Sequence, residues 1–158
     1  MNTNYETTIS KEEWYTPTRI IDALGIFDLD PCSPNKPFNK IANNIFTKKD
    51  NGLLKEWYGS VYCNPPYGKQ TKLWLNKCAK HNNCIALVFA RTDTKMFFSE
   101  VWNKASAIFF IKGRLKFLNE NNVSIGSAGA PSVLIAYGKQ YKRLENLDRT
   151  IQGKYIKL

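Results

Sequence analysis

The chain contains a single histidine, His81, and none of its four cysteines (Cys32, Cys63, Cys78 and Cys84) forms a CxxC pair. Zinc sites draw on close-spaced ligand pairs, so no structural metal is expected. His81 follows a helix-like stretch and reads as a helix C-terminal residue before it reads as a catalytic base. Cys63, Cys78 and Cys84 lie in apolar segments, as small reduced core residues do. No apolar run approaches the roughly 20 residues that cross a bilayer. The longest, 84–90 and 107–111, are strand-sized. The first eleven residues are polar and mixed, unlike a signal peptide or an amphipathic transit sequence. A cytoplasmic protein with no membrane partner is therefore expected. No block of five like charges, no internal repeat and no interdomain linker interrupts the chain.

What is present fits one folded domain spanning 1–158, with a flexible N-terminus over 1–12. The length of 158 residues, with 43% hydrophobic and 13% aromatic content, is enough to bury a core. Lys and Arg number 23 against 13 Asp and Glu, a net charge of +10. A protein this basic suits a polyanion, because neutralising phosphates supplies non-specific nucleic-acid affinity.

Helical and strand patterns alternate. In 16–24, Thr16 can cap, Pro17 suits the first turn, Ile20, Ile21 and Leu24 share a face, and Gly25 ends the helix. A brief strand at 26–29 stops at Asp30-Pro31. Residues 33–52 read as a connection, 53–58 as one helical turn, and 61–63 as a strand. The pattern predicts a helix over 70–80 and a strand buried on both faces over 84–90. Residues 95–105 carry the stripe Phe97, Phe98, Val101, Trp102 and Ala105 behind an Asp/Thr cap, so a helix is expected there. A strand at 107–112 follows, with a hairpin partner at 114–118, a mobile loop over 119–131, a last strand at 132–137 and a partly helical basic tail from 142. Together these predict an α/β, three-layer sandwich with a mostly parallel sheet and antiparallel strands toward the C-terminus.

The sharpest local signal is Asn64-Pro65-Pro66-Tyr67, directly after the apolar Val61-Tyr62-Cys63. Two prolines cannot donate backbone hydrogen bonds, and each holds its predecessor extended, so the strand must end in a stiff loop. Ligands of open α/β sheets bind at such carboxyl ends. A planar group with an exocyclic NH2 could stack on Tyr67 and donate to Asn64 Oδ1 and to a proline-flanked carbonyl. This resembles the (D/N/S)PP(Y/F/W) motif of methyltransferases that act on amino groups.

Further pieces lie at the ends of predicted elements: EWYTP at 13–17, FDLDPCS at 27–33, Asp50-Asn51-Gly52-Leu53, VYCNPPYG, ARTDT and GRLKF. In this order they resemble the phage Dam-like family of DNA N6-adenine methyltransferases, over roughly residues 13–137. The resemblance implies S-adenosylmethionine as cofactor, a Rossmann-like methyltransferase fold, DNA as partner, a monomer or weak homodimer, and protection of phage DNA from restriction. It places Asn64, Pro65, Pro66 and Tyr67 in catalysis. Cofactor contacts would come from Tyr15, Thr16, Pro17, Asp28, Asp30, Pro31, Cys32, Asp50 and Asn64. Asp30 would take the α-ammonium and Asp50 the cofactor's adenine amine. Lys69, Lys72, Arg91 and Arg114 adjoin the site loops and are candidates for DNA contact. The sequence departs from many methyltransferases in one respect: no glycine-rich loop follows Asp28–Cys32, and no acidic residue lies between Cys32 and Lys49 to hold ribose hydroxyls. Cytosine N4, RNA adenine or a protein glutamine amide would serve the same motif. A metal-dependent phosphoesterase built on Asp28-Leu29-Asp30 and a non-catalytic DNA-binding module on the same fold stand as alternatives.

Overall fold

The continuous apolar run of residues 84–88 becomes the middle of strand β4 (Asn83–Phe89), buried on both sides. The computed structural model describes residues 14–37 and 39–158, so the expected flexible N-terminus lies outside the described residues. Around β4 the chain builds β1 (Phe27–Asp30), β2 (Ala42–Ile45), β3 (Val61–Cys63), β5 (Ala107–Ile111), β8 (Ser132–Gly138) and β9 (Gly153–Lys157) into one sheet of order β2-β1-β3-β4-β8-β5-β9. The strands β6 (Lys116–Leu118) and β7 (Ser124–Ser127) form a separate hairpin.

The sheet is mixed. The pairs β1–β2, β1–β3 and β3–β4 are parallel, whereas β4–β8, β5–β8 and β5–β9 are antiparallel. Five strands still point one way; β8 runs back between β4 and β5, and β9 runs back along the edge. Half the pairings are thus antiparallel, more than the expected mostly parallel sheet.

Two apolar layers cover the sheet, giving the three-layer α/β arrangement. On one side α1 (Thr18–Leu24) and α4 (Tyr141–Leu147) pack Ile20, Ile21, Leu24, Leu144 and Leu147 onto Phe27, Tyr62, Ile85, Leu87 and Phe109. On the other, α2 (Thr71–His81) sets Trp74, Leu75 and Cys78 on Val61, Cys63, Cys84 and Ala86. Next to α2 lies α3 (Lys95–Phe97), continued by a π-helical turn at Phe98–Trp102. All four cysteines are free thiols, and three of them are buried.

Several sequence expectations are corrected here. Thr16 does not cap α1; its hydroxyl turns inward to Tyr62. Residues 53–58 pass from a turn and bend (52–55) into irregular chain (56–58) and form no helical turn, and the 33–52 connection contains β2, an edge strand with only Ala42 buried and therefore without an apolar pattern to read. The 95–105 helix is mostly a π turn, closed by Asn103 N–H on Phe98 O at 3.2 Å and held by Tyr137 Oη–H on Glu100 O at 2.7 Å. Residues 116–118 pair with β7 and not with β5. The 119–131 segment is therefore largely a hairpin arm: Asn119 Oδ1 accepts the N–H groups of Asn121 and Val123, and Asn122 turns the chain at φ 60°. The last strand is β9, in the stretch expected as a basic tail.

Candidate active site

The connection from β1 to β2 leaves on one side and the chain returns to β3 on the other. A crevice opens where the strand order reverses, at the carboxyl ends of β1 and β3. Trp14, Thr16, Asp30, Cys32, Tyr62 and Asn64 are among the side chains lining this cleft, which holds about 410 Å³ with its open mouth included. The proline loop is stiff by sequence and pinned by structure: Thr71, buried in the first turn of α2, donates its hydroxyl to Pro66 O at 2.7 Å.

The Asn64 carboxamide is oriented by its own NH2. Nδ2 donates to Trp14 O at 3.3 Å and to Thr16 Oγ1 at 3.4 Å, and Thr16 Oγ1 lies 2.7 Å from Tyr62 Oη. Among the described residues no donor reaches Asn64 Oδ1, so the acceptor end is presented outward. Trp14 and Tyr15 are held in place by two backbone bonds between Tyr15 and Leu118, at 3.0 and 3.1 Å, which lay residues 14–16 beside the β6–β7 hairpin.

Tyr67 stands in an aromatic cluster. Its ring stacks on Phe89 with centroids 4.0 Å apart and planes 7° from parallel, and it meets Trp14 edge-on at 5.7 Å. Phe117 of the hairpin packs on Trp14 at 4.9 Å. The Tyr67 hydroxyl and the Trp14 indole N–H are both buried, with no hydrogen-bond partner among the described residues. Burial alone raises the Tyr67 pKa.

Asp30 closes β1 with its carboxyl buried. One backbone bond, from Cys32 N–H at 3.0 Å, reaches it. Burial raises its pKa to about 7, against the smaller lowering effect of that bond. Burial, with Asp30 beside it, pushes the Cys32 thiol up to about 12, so the sulfur faces the cleft in its protonated form. Pro31 O meets Gly52 so closely that a Cβ there would sit 2.0 Å away, which explains the glycine.

Two expected cofactor residues do not join this cluster. Asp28 accepts Ser60 N–H at 2.7 Å and Ser60 Oγ–H at 2.9 Å, at the amino end of β3. Those two bonds lower its pKa. The amides of Asp28 and Leu29 both donate to Ser60 O, at 2.9 and 3.1 Å, so two residues face one as in a bulge and the side-chain alternation breaks. That break separates Asp28 from Asp30 and removes the paired carboxylates a phosphoesterase reading needs. Among the described residues no group of three potential ligands is placed to hold a metal. Asp50 is exposed in the turn after β2 and accepts from Thr47 N–H and Oγ–H at 2.7 and 2.9 Å. These bonds lower its pKa. Tyr15 and Pro17 are buried beside the cleft, Tyr15 donating its hydroxyl to Lys36 O at 3.0 Å.

Lys69, Lys72, Arg91 and Arg114 are all exposed. Arg91 is the best placed, its guanidinium 5.9 Å from the Phe89 ring centre beside the Tyr67 stack. Sequence reasoning missed Tyr62, Thr71 and Phe89. Tyr62 and Phe89 passed as strand filling, and only the proline loop five residues earlier hinted at Thr71.

No curated protein and no solved structure matches the chain. A family model described as DNA N-6-adenine-methyltransferase (Dam) matches residues 3–153. With the cleft at the switch point and Asn64 in its wall, that match over nearly the whole length shows that the chain belongs to the Dam family of DNA adenine methyltransferases.

Proposed function

We propose that the chain methylates the exocyclic N6 of adenine in DNA, site-specifically, with S-adenosylmethionine as donor and the base flipped out beside Asn64-Pro65-Pro66-Tyr67. The observation that carries this reading is the Asn64 amide, whose NH2 is committed to Trp14 and Thr16 while Oδ1 is left free to accept. An aryl amine is a poor nucleophile because its lone pair is delocalised into the ring. Accepting one N–H at Asn64 Oδ1 and the other at the Pro65 carbonyl favours a pyramidal nitrogen with its lone pair aimed away from the loop. No strong base is required before attack, and the proton leaves afterwards to water. Catalysis is then alignment and electrostatics in a sheltered site. Extruding the base costs a few kcal/mol, which contact with the Tyr67 ring helps to offset.

The cleft suits the cofactor on one specific ground: a buried carboxylate, Asp30, with no cation beside it among the described residues. An α-ammonium placed there would replace the water the carboxylate lost on burial. When bound, S-adenosylmethionine supplies a methyl group on a sulfonium, which makes it the electrophile. Residues 14–17 and 30–32 would form the walls of its methionine end, on a Rossmann-like methyltransferase fold. Asp28 has no part in this reading, and Asp50 could reach a ligand only from its exposed turn.

Lys69, Lys72, Arg91 and Arg114 would contact phosphates, with the 112–117 and 119–131 segments supplying short or relaxed sequence preference. The test is to incubate the protein with S-adenosylmethionine and mixed-sequence DNA, digest to nucleosides, and look for methylated bases by mass spectrometry. N6-methyladenine is expected. Asn64→Ala should leave cofactor affinity within a few-fold and lower turnover at least about a hundredfold. No methylated base, on DNA or on RNA run in parallel, would shift the reading to a protein substrate or a non-catalytic module.

A further inference from the structure

Tyr67 is the residue on which a flipped base would stack, and one face of its ring is already occupied. Phe89 lies against it nearly coplanar, at 4.0 Å and 7°. Phe89 is the last residue of β4 and cross-strand partner to Ser132 of β8. The bonds from Ala90 N–H to Pro131 O at 2.8 Å and from Arg91 N–H to Phe89 O at 2.9 Å fix the backbone around it. β4 is central and buried over five of its seven residues, so the ring stands at the end of a strand paired on both sides. Tyr67 by contrast sits on a loop, and among the described residues no hydrogen bond holds its buried hydroxyl. Contact with other rings is therefore what sets the plane of Tyr67.

Resting on the methyltransferase reading above, we propose that Phe89 is a positioning residue for catalysis. It backs one face of Tyr67, so that the opposite face is held at the angle that aligns a flipped adenine with Asn64 Oδ1 and the Pro65 carbonyl. The stack in the working complex is then Phe89, Tyr67, base, in that order. A side chain that only fills the core can be exchanged for another of similar volume; a backstop must be flat and aromatic. Misplacing a bound group by about 1 Å can cost on the order of a hundredfold in rate.

Phe89→Leu, Phe89→Tyr and the wild-type chain separate these roles when compared for melting temperature, cofactor affinity, and kcat and KM on the same mixed-sequence DNA. Phe89→Leu should lower kcat roughly ten- to a hundredfold with cofactor affinity within about threefold of wild type, and Phe89→Tyr should restore kcat to within about threefold. Should Phe89→Leu melt below the assay temperature, Phe89→Met replaces it under the same expectation. Equal kcat in wild type and Phe89→Leu would overturn the proposal. A higher kcat in Phe89→Leu would overturn it as well, by making Phe89 an occupant of the base position that must leave before stacking. A parallel fall of kcat and melting temperature that Phe89→Tyr fails to rescue would reduce Phe89 to packing. If the wild-type chain methylates no base, the functional reading itself falls and takes this role with it, an outcome seen before any variant is made.

Discussion

Asp30 is buried at the end of β1 with a single backbone N–H, from Cys32, to hold it, and its pKa stands at about 7. Because this folded value lies above the ordinary carboxylate value of 3.8, the folded chain holds more protons than the unfolded chain between the two. Stability from this group is therefore full below about pH 4 and declines as pH rises through about 7, by an amount on the order of a few kcal/mol. Asp30→Asn removes the buried charge and keeps the shape. The ligand-free variant should melt above wild type at pH 8 and close to it at about pH 4, in parallel thermal scans. The same substitution should weaken cofactor binding at pH 8 at least about tenfold, as loss of a buried charge-assisted contact does. Wild-type affinity should rise from pH 6 to pH 8 as the carboxyl ionises, and calorimetry near pH 6 in buffers of different ionisation enthalpy should register proton release on binding. Equal melting of the two proteins at pH 8 would mean that Asp30 is already solvated or paired.

Among the elements, α1 owes its ending to two residues far apart in the chain. Gly25 turns out of the helix at φ 77°, and its N–H bonds Ile21 O at 3.0 Å. Arg143 of α4 donates to Leu24 O and Ile26 O, both at 3.0 Å, and lies 4.0 Å over the Phe27 ring. The latch joins α4 to the helix that follows residues 14–17 without touching the cleft. Arg143→Met should cost about 1–3 kcal/mol by chemical denaturation while leaving turnover of the folded enzyme within about twofold. A loss of kcat greater than the loss of folded protein would place Arg143 in a different role. Glycine after Leu24 was legible in the sequence; its distant arginine partner was not, since local pattern carries no information on contacts across more than a hundred residues. The same division runs through the site. The Asn64–Tyr67 loop, the buried β4 and the helix behind Trp74 follow from proline chemistry and periodicity. The partners that aim Asn64, namely Trp14 O and Thr16 Oγ1, are set by tertiary packing, and Asp28 was misread because a bulge is invisible in an alternating run. β2 and β7 escaped notice because Asn, Ser and Gly have weak strand preference, and their pairing comes from the neighbour.

For the molecule as a whole, the net charge of +10 is spread over many exposed lysines and is not gathered in one arm. If these neutralise phosphates, raising salt from about 50 to 200 mM should weaken DNA binding tenfold or more, measured by fluorescence anisotropy with a labelled duplex. A flat response would assign the charge to solubility. The sheet order carries a different consequence. β4 pairs along all seven of its residues with β8, which begins at Ser132, well after the strands that frame the cleft have been made. During synthesis β2, β1, β3 and β4 emerge first and can assemble, yet the apolar β4 is then an open edge with its hydrogen-bonding groups unmet. A chain arrested after β4 has emerged but before β8 has done so displays the Asn64–Tyr67 loop complete in sequence but mounted on a half-sheet that invites another chain to fill the empty lane. The cleft thus depends for its soundness on a strand that contributes nothing to its lining, and which the cell must wait for.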